Sequence, residues 1–226
     1  MAKKRGRKKR QNTSLLSVAI AAAAIIWGVY TKGGQENLTS SSSSSTSSST
    51  VSSAQTAKTV YGGLAKSDYQ KLAQETFKSG GKGWRYVNNN HSTLVKSAWK
   101  VNRVIYSNLD SQNRTSSSNT AFLEKRNVAN DSLRVRQYVQ PTGWHSNRQN
   151  GTQIYNRGHL IAYSVSAGID QDGNYNPKNQ SGDQNNPKNL FTQSAFSNQK
   201  IQTIFESKVR SALRSGKKVI YQATPI

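Results

Sequence analysis

The segment Ile154 to Ile161 (IYNRGHLI) gathers residue types that can work on a phosphate. Arginine can grip a phosphate through two parallel hydrogen bonds, glycine lets backbone approach a ligand closely, and histidine can take a proton near neutral pH. The flanking apolar pairs predict a strand end that turns sharply. Taken alone the pattern is weak, because a lone histidine is more often structural, so the case for His159 has to come from elsewhere in the chain.

The clearest helix runs from Ser194 to about Ser215, with Gly216 as its stop signal. Ile201, Ile204, Phe205, Val209, Ala212 and Leu213 fall at helical spacing and mark a buried face. Asn198, Gln202 and Glu206, four residues apart, form a polar stripe along its edge, as a site at the boundary of a core would. The ordinary reading of Asn198 is a helix cap or a solvated amide, and of Glu206 an ion pair with Arg210. Trp144 and His145 read by default as residues that pack and cap a turn.

Composition narrows the chemistry further. The chain has no cysteine, which excludes disulfides, thiolate-bound zinc and a thiol nucleophile. With only three histidines, His91, His145 and His159, a metal site is most simply a hard cation on oxygen ligands. The formal charge is +22, from 32 Lys and Arg against 10 Asp and Glu, so partners are polyanions: nucleic acid, anionic lipid or cell-wall polymer.

These residues need a domain to hold them. Residues 1–13 are basic, and residues 14–30 hold the uncharged, mostly apolar run Leu15 to Tyr30, read as a signal peptide or membrane anchor. The bulky Trp27, Val29 and Tyr30 favour a retained anchor with the chain outside the cell over a cleaved signal. Residues 31–59, with the serine run Ser40 to Ser53, read as a flexible linker. Residues 60–226 read as one catalytic domain. From Glu36 onward 24 basic residues still face 10 acidic ones, a charge of about +14. Within the domain the pattern predicts a helix over Val60 to Phe77, short strands at Trp84 to Val87 and Ser97 to Tyr106, and a final strand after Gly216. The repeated Asn-Pro-Lys-Asn at 176–179 and 186–189 lies in a loop.

Asn156-Arg157-Gly158-His159 resembles the Asp-Arg-Gly-His signature of the DNA/RNA non-specific endonucleases, and Asn189, Asn198 and Glu206 match that family's Asn, Asn, Glu spacing. The likeness covers roughly Tyr106 to Ile220. It is most like the membrane-anchored DNA-entry nucleases and secreted streptococcal-type DNases, with similar segments at Pro141 to His145 and Glu206 to Arg210. The resemblance implies an α+β fold, with a mixed or antiparallel sheet and a ββα-metal (His-Me finger) motif.

It also implies roles. His159 is the general base, Asn198 binds Mg²⁺ directly (Mn²⁺ being an alternative), and Glu206 holds the ion through water, since two helical turns separate it from Asn198 by about 12 Å. Asn189 orients the site, and Arg157 grips the scissile phosphate or braces the loop. Arg126, Arg134, Arg136 and Arg148 are candidate phosphate contacts. Gln202 is expected to be nearly silent. The substrate implied is DNA, with RNA open, and the enzyme is exported to the outer face of the membrane or secreted.

Two departures stand out. Asn156 replaces the usual Asp, keeping its shape but losing its charge. The family also continues with further strands beyond the YQATPI segment, so the sheet behind the site is expected to be short. The competing reading is a truncated or inactive basic surface protein that binds nucleic acid without cutting it.

Overall fold

The computed structural model describes residues 24–30, 61–76 and 78–226. Its main sheet has four antiparallel strands in the order β1 (Ala24–Tyr30), β8 (Lys218–Thr224), β3 (Asn119–Leu123) and β2 (Arg103–Ile105). Strand β8 runs through its middle, pairing Val219 with Leu123 and Ala223 with Asn119 on one side and Tyr30 with Lys218 on the other. Both faces of β3 and β8 are covered. Ala121, Leu123, Val219, Tyr221 and Ala223 pack towards the long helix with Val209 and Leu213, while Phe122 and Ile220 pack the other way against Leu94, Tyr61 and Trp99. Strands buried on both faces read as nearly continuous apolar runs, as Val219-Ile220-Tyr221 does.

A separate strand pair carries the site. Strand β6 (Tyr155–His159) lies antiparallel to β7 (Leu190–Ser194), with Asn156 opposite Gln193 and His159 opposite Leu190. The chain between them, residues 160–189, folds back into the core through Leu160, Ile161, Val165 and Ile169. A minor hairpin of β4 (Arg148–Gln149) and β5 (Thr152–Gln153) precedes them.

After β7 the chain enters a helix whose first turns, Ser197–Gln202, are π-helical, and then the regular helix α2, Thr203–Arg214. Phe205, Val209 and Leu213 form the buried stripe expected of it. Gly216 sits at φ +80°, the left-handed stop that glycine allows. The expected helix over Val60 to Phe77 is shorter, α1 at Lys66–Ala73. Only Arg103–Ile105 of the segment Ser97 to Tyr106 is a strand, and Trp84 to Val87 is not, since Trp84 and Tyr86 pack edge to face and Trp84 packs on Phe205 instead.

Of the apolar run Leu15 to Tyr30, the first part lies outside the described residues, as do the basic n-region and the linker 31–59. Ala24–Tyr30 is a strand on β8, and among the described residues no helix is long and apolar enough to cross a membrane.

Candidate active site

His159, Asn156, Arg157, Asn198 and Glu206 come together on the wall of one cavity of about 650 Å³. The two strands place Asn156 to His159 on one side, and the helix that follows β7 supplies Asn198 and Glu206 on the other. Trp144, Tyr155, Tyr163, Arg134, Gln137 and Arg210 complete much of the lining.

The imidazole of His159 is oriented by the backbone. Its Nε2 lies 3.1 Å from the carbonyl oxygen of Gln184, which can only accept, so Nε2 carries the hydrogen and Nδ1 keeps its lone pair. Burial pushes the His159 pKa down to about 4, and the nearby Arg134 adds to that effect. The ring is therefore neutral at physiological pH and can take a proton on Nδ1.

Three amides and a hydroxyl form a directed chain through the site. Asn156 donates to Asn198 Oδ1 at 3.1 Å, Asn198 donates to Gln193 Oε1 at 3.1 Å, and Gln193 donates to Ser197 Oγ at 2.8 Å. An aspartate at 156 could not make the first of these bonds. Gly158 keeps the chain intact, because a Cβ there would lie 2.2 Å from Gln193 Oε1.

Gln202 has a larger part than its place in the polar stripe indicates. It is buried, and its amide nitrogen donates both to the carbonyl of His159 at 2.6 Å and to Glu206 Oε1 at 2.8 Å. One side chain thus ties strand to helix, a bonding that the expectation of a silent residue did not foresee. The π-helical turns place Gln202 there, a feature common near functional sites and invisible to residue spacing. Burial raises the pKa of the Glu206 carboxyl, against the hydrogen bond from Gln202 and the fields of Arg210 and Arg134.

Asn189 is fully buried rather than on the cavity wall. Its side chain accepts from Ile161 N at 2.8 Å and donates to Ile161 O at 3.0 Å, while its own carbonyl accepts from Leu160 N. It pins the turn just after His159. Tyr221 on β8 donates to Leu160 O at 3.0 Å, fixing the same turn from the sheet. Arg157 donates to the carbonyl of Val139 at 3.3 Å and stacks 4.5 Å from the ring of Trp144, so it braces a neighbouring segment while lining the cavity.

Of the four other arginines, only Arg134 lines the cavity, its guanidinium 4.3 Å from the Tyr163 ring. Arg126 is paired with Glu124 and stacked on Tyr175, Arg148 reaches the carbonyl of Gly151, and Arg136 lies outside the cavity lining. Arg210, one helical turn beyond Glu206, lines it instead. Its spacing from Glu206 was the available signal, although it reads first as an ion pair.

A histidine with a free ring nitrogen, a carboxylate and three arginines around one cavity suit hydrolysis of an anionic ester. Residues 35–226 match the family model of the DNA/RNA non-specific endonucleases, and the chain belongs to that family. It is a nuclease, a hydrolase of phosphodiester bonds. Among solved structures it is similar to NucA from Streptococcus agalactiae with no metal bound, at 29% identity and a TM-score of 0.46, covering 72% of this chain and 75% of that one. The same protein with a magnesium ion bound matches at 28% identity and a TM-score of 0.47, covering 71% and 76%.

Proposed function

We propose that the protein is a magnesium-dependent endonuclease acting on DNA outside the cell, with RNA as a second substrate to be tested, in which His159 is the general base. The observation that carries this is the fixed tautomer of His159: Nε2–H is held by Gln184 O, and Nδ1 faces the work of proton removal. Nδ1 takes a proton from the water that attacks phosphorus, a task typically contributing a factor of about 10² to 10⁴. Arg157, Arg134 and Arg210 hold the phosphate and offset its charge.

The donor set at the cavity fits a hard cation. Asn198 offers an amide oxygen and Glu206 a carboxylate, both oxygen ligands of the kind Mg²⁺ prefers, and that ion retains waters where protein ligands are few. Asn198 would bind the ion directly and Glu206 through water, with Mn²⁺ an alternative. Bound there, the metal supplies charge stabilisation for the phosphate and the leaving oxygen. Asn156 now donates to the same Asn198 oxygen, so Asn156 turns or releases it when a cation binds. Asn189 and Gln202 are positioning residues that act through the turn and helix they hold.

The basic N-terminus and the apolar run up to Tyr30 support a place at the outer membrane face or in the medium. Ala24–Tyr30 cannot both pair with β8 and cross a bilayer, so anchoring requires those seven residues to leave the sheet.

The test is plasmid cleavage. The full chain with Mg²⁺ nicks and linearises supercoiled plasmid, EDTA stops it, and His159→Ala and Asn198→Ala each lower the rate by at least about 100-fold. A folded wild-type chain that leaves plasmid intact in Mg²⁺ and Mn²⁺ overturns the reading.

A further inference from the structure

The segment Leu133 to Val139 (LRVRQYV) leaves a short 3-10 turn at Leu133 and continues without a strand partner, with Arg134 and Gln137 in the cavity lining. Two buried amides hold it from beneath. Gln184 accepts from Val135 N at 2.8 Å and donates to Leu133 O at 3.4 Å, and Asn185 accepts from Tyr138 N at 2.8 Å and donates to Arg136 O at 3.2 Å. Gln137 and Val139 are joined to Arg157 by further hydrogen bonds. The backbone is therefore fixed, yet its apolar side chains face water: Leu133 is 41%, Val135 50% and Tyr138 70% exposed.

Exposure imposed by a rigid backbone is unlike the incidental exposure of a single apolar residue. Arg134 has φ −67° and ψ 125°, an extended backbone near the polyproline II region. Arg134 and Gln137 line the cavity, while Val135 and Tyr138 of the same segment stand exposed. Arg136 is exposed between them. An exposed aromatic ring on a held backbone, an apolar neighbour and exposed guanidinium groups beside a phosphodiester-cleaving cavity match what binds single-stranded nucleic acid: bases stack on the ring while cations follow the backbone.

Resting on the endonuclease reading above, we infer that Val135 and Tyr138 form a stacking platform for an unpaired base next to the scissile phosphate. Tyr138 thereby determines preference for single-stranded over double-stranded substrate. Base pairs keep their faces stacked on each other, so a duplex cannot use the ring without losing a pair.

The experiment measures binding in the full-length His159→Ala chain, by fluorescence anisotropy with a labelled 20-nucleotide single strand and a blunt duplex of the same sequence. Tyr138→Ala weakens single-strand binding by about tenfold, the scale of one lost stack, and changes duplex binding by less than about twofold. Tyr138→Trp retains the single-strand affinity, and Tyr86→Ala, another exposed aromatic outside the cavity lining, leaves both unchanged. In the cutting-competent chain, Tyr138→Ala raises KM for single strands and leaves kcat in place. Equal loss on both substrates, or no loss on either, overturns the platform. Absence of cutting by the wild type would sink the catalytic reading instead, which the binding split does not depend on.

Discussion

At the scale of the residue, the reactivity of this enzyme is set by which atoms are already engaged. His159 is left with one nitrogen for chemistry because Gln184 O takes the other. Its protonated form is disfavoured by burial, so the folded ring stays neutral from neutral pH down to about 4, against 6.5 for an ordinary histidine. A general base, the role proposed for His159, works when unprotonated. The kcat/KM profile therefore contains an acid step near pH 4 with activity rising as pH rises through it. A histidine step centred near 6.5 would show that the ring is hydrated in the working enzyme. Gln202 gives the second expectation at this scale. Its bonds to His159 O and Glu206 are lost in Gln202→Ala, and cutting falls by roughly 10- to 100-fold, the usual effect of removing a residue that orients a site. Unchanged kcat would refute that role. That His159, Asn198 and Glu206 share one cavity was legible from spacing. The part played by Gln202 was not, because a buried amide and a solvated one are the same letter until a strand packs against it.

Among the elements, the strand pair and the helix after it do the positioning, and the long excursion between β6 and β7 is what has to be held in register. Asn189 does this with two side-chain bonds to the backbone of Ile161, in a place with no access to water. Asn189→Ala leaves both backbone groups unpaired, costing about 2 kcal/mol, a drop in Tm of about 4 to 8 °C. Cutting is lost with it, and Asn189→Asp restores at most half of the pairing. A thermal melt and a plasmid assay on the same preparation read both effects, and a variant as stable as the parent would contradict the assignment. The helix itself was plain in the sequence, since Phe205, Val209 and Leu213 recur with helical period on a buried face. The π-helical turns and the extended segment over Leu133 to Val139 were hidden. Neither has a periodic apolar signature, and both depend on distant hydrogen-bond partners, the first on Asn156 and His159 and the second on Gln184 and Asn185.

For the whole molecule, positive charge governs encounter with substrate but does not identify the contacts. Most of the arginines singled out from sequence lie away from the cavity, because charge at the surface is constrained by solubility as much as by binding. Each phosphate neutralised steepens the fall of log K with log salt by about 0.9 for duplex DNA. Arg134→Ala, from the cavity wall, is expected to reduce that slope by about one. Arg126→Ala leaves the slope unchanged, since its guanidinium is held by Glu124 and Tyr175. Titrations of the two variants over 50 to 200 mM salt separate these outcomes, and equal slopes would remove Arg134 from the substrate path.

Strand β8 lies beyond every cavity residue in chain order, yet Tyr221 within it fixes the turn after His159, and its pairing with β3 joins segments about a hundred residues apart. Contacts so distant form late, after the intervening chain is complete. A ribosome-bound chain can therefore carry every residue of the cavity wall and still lack the strand that aligns them.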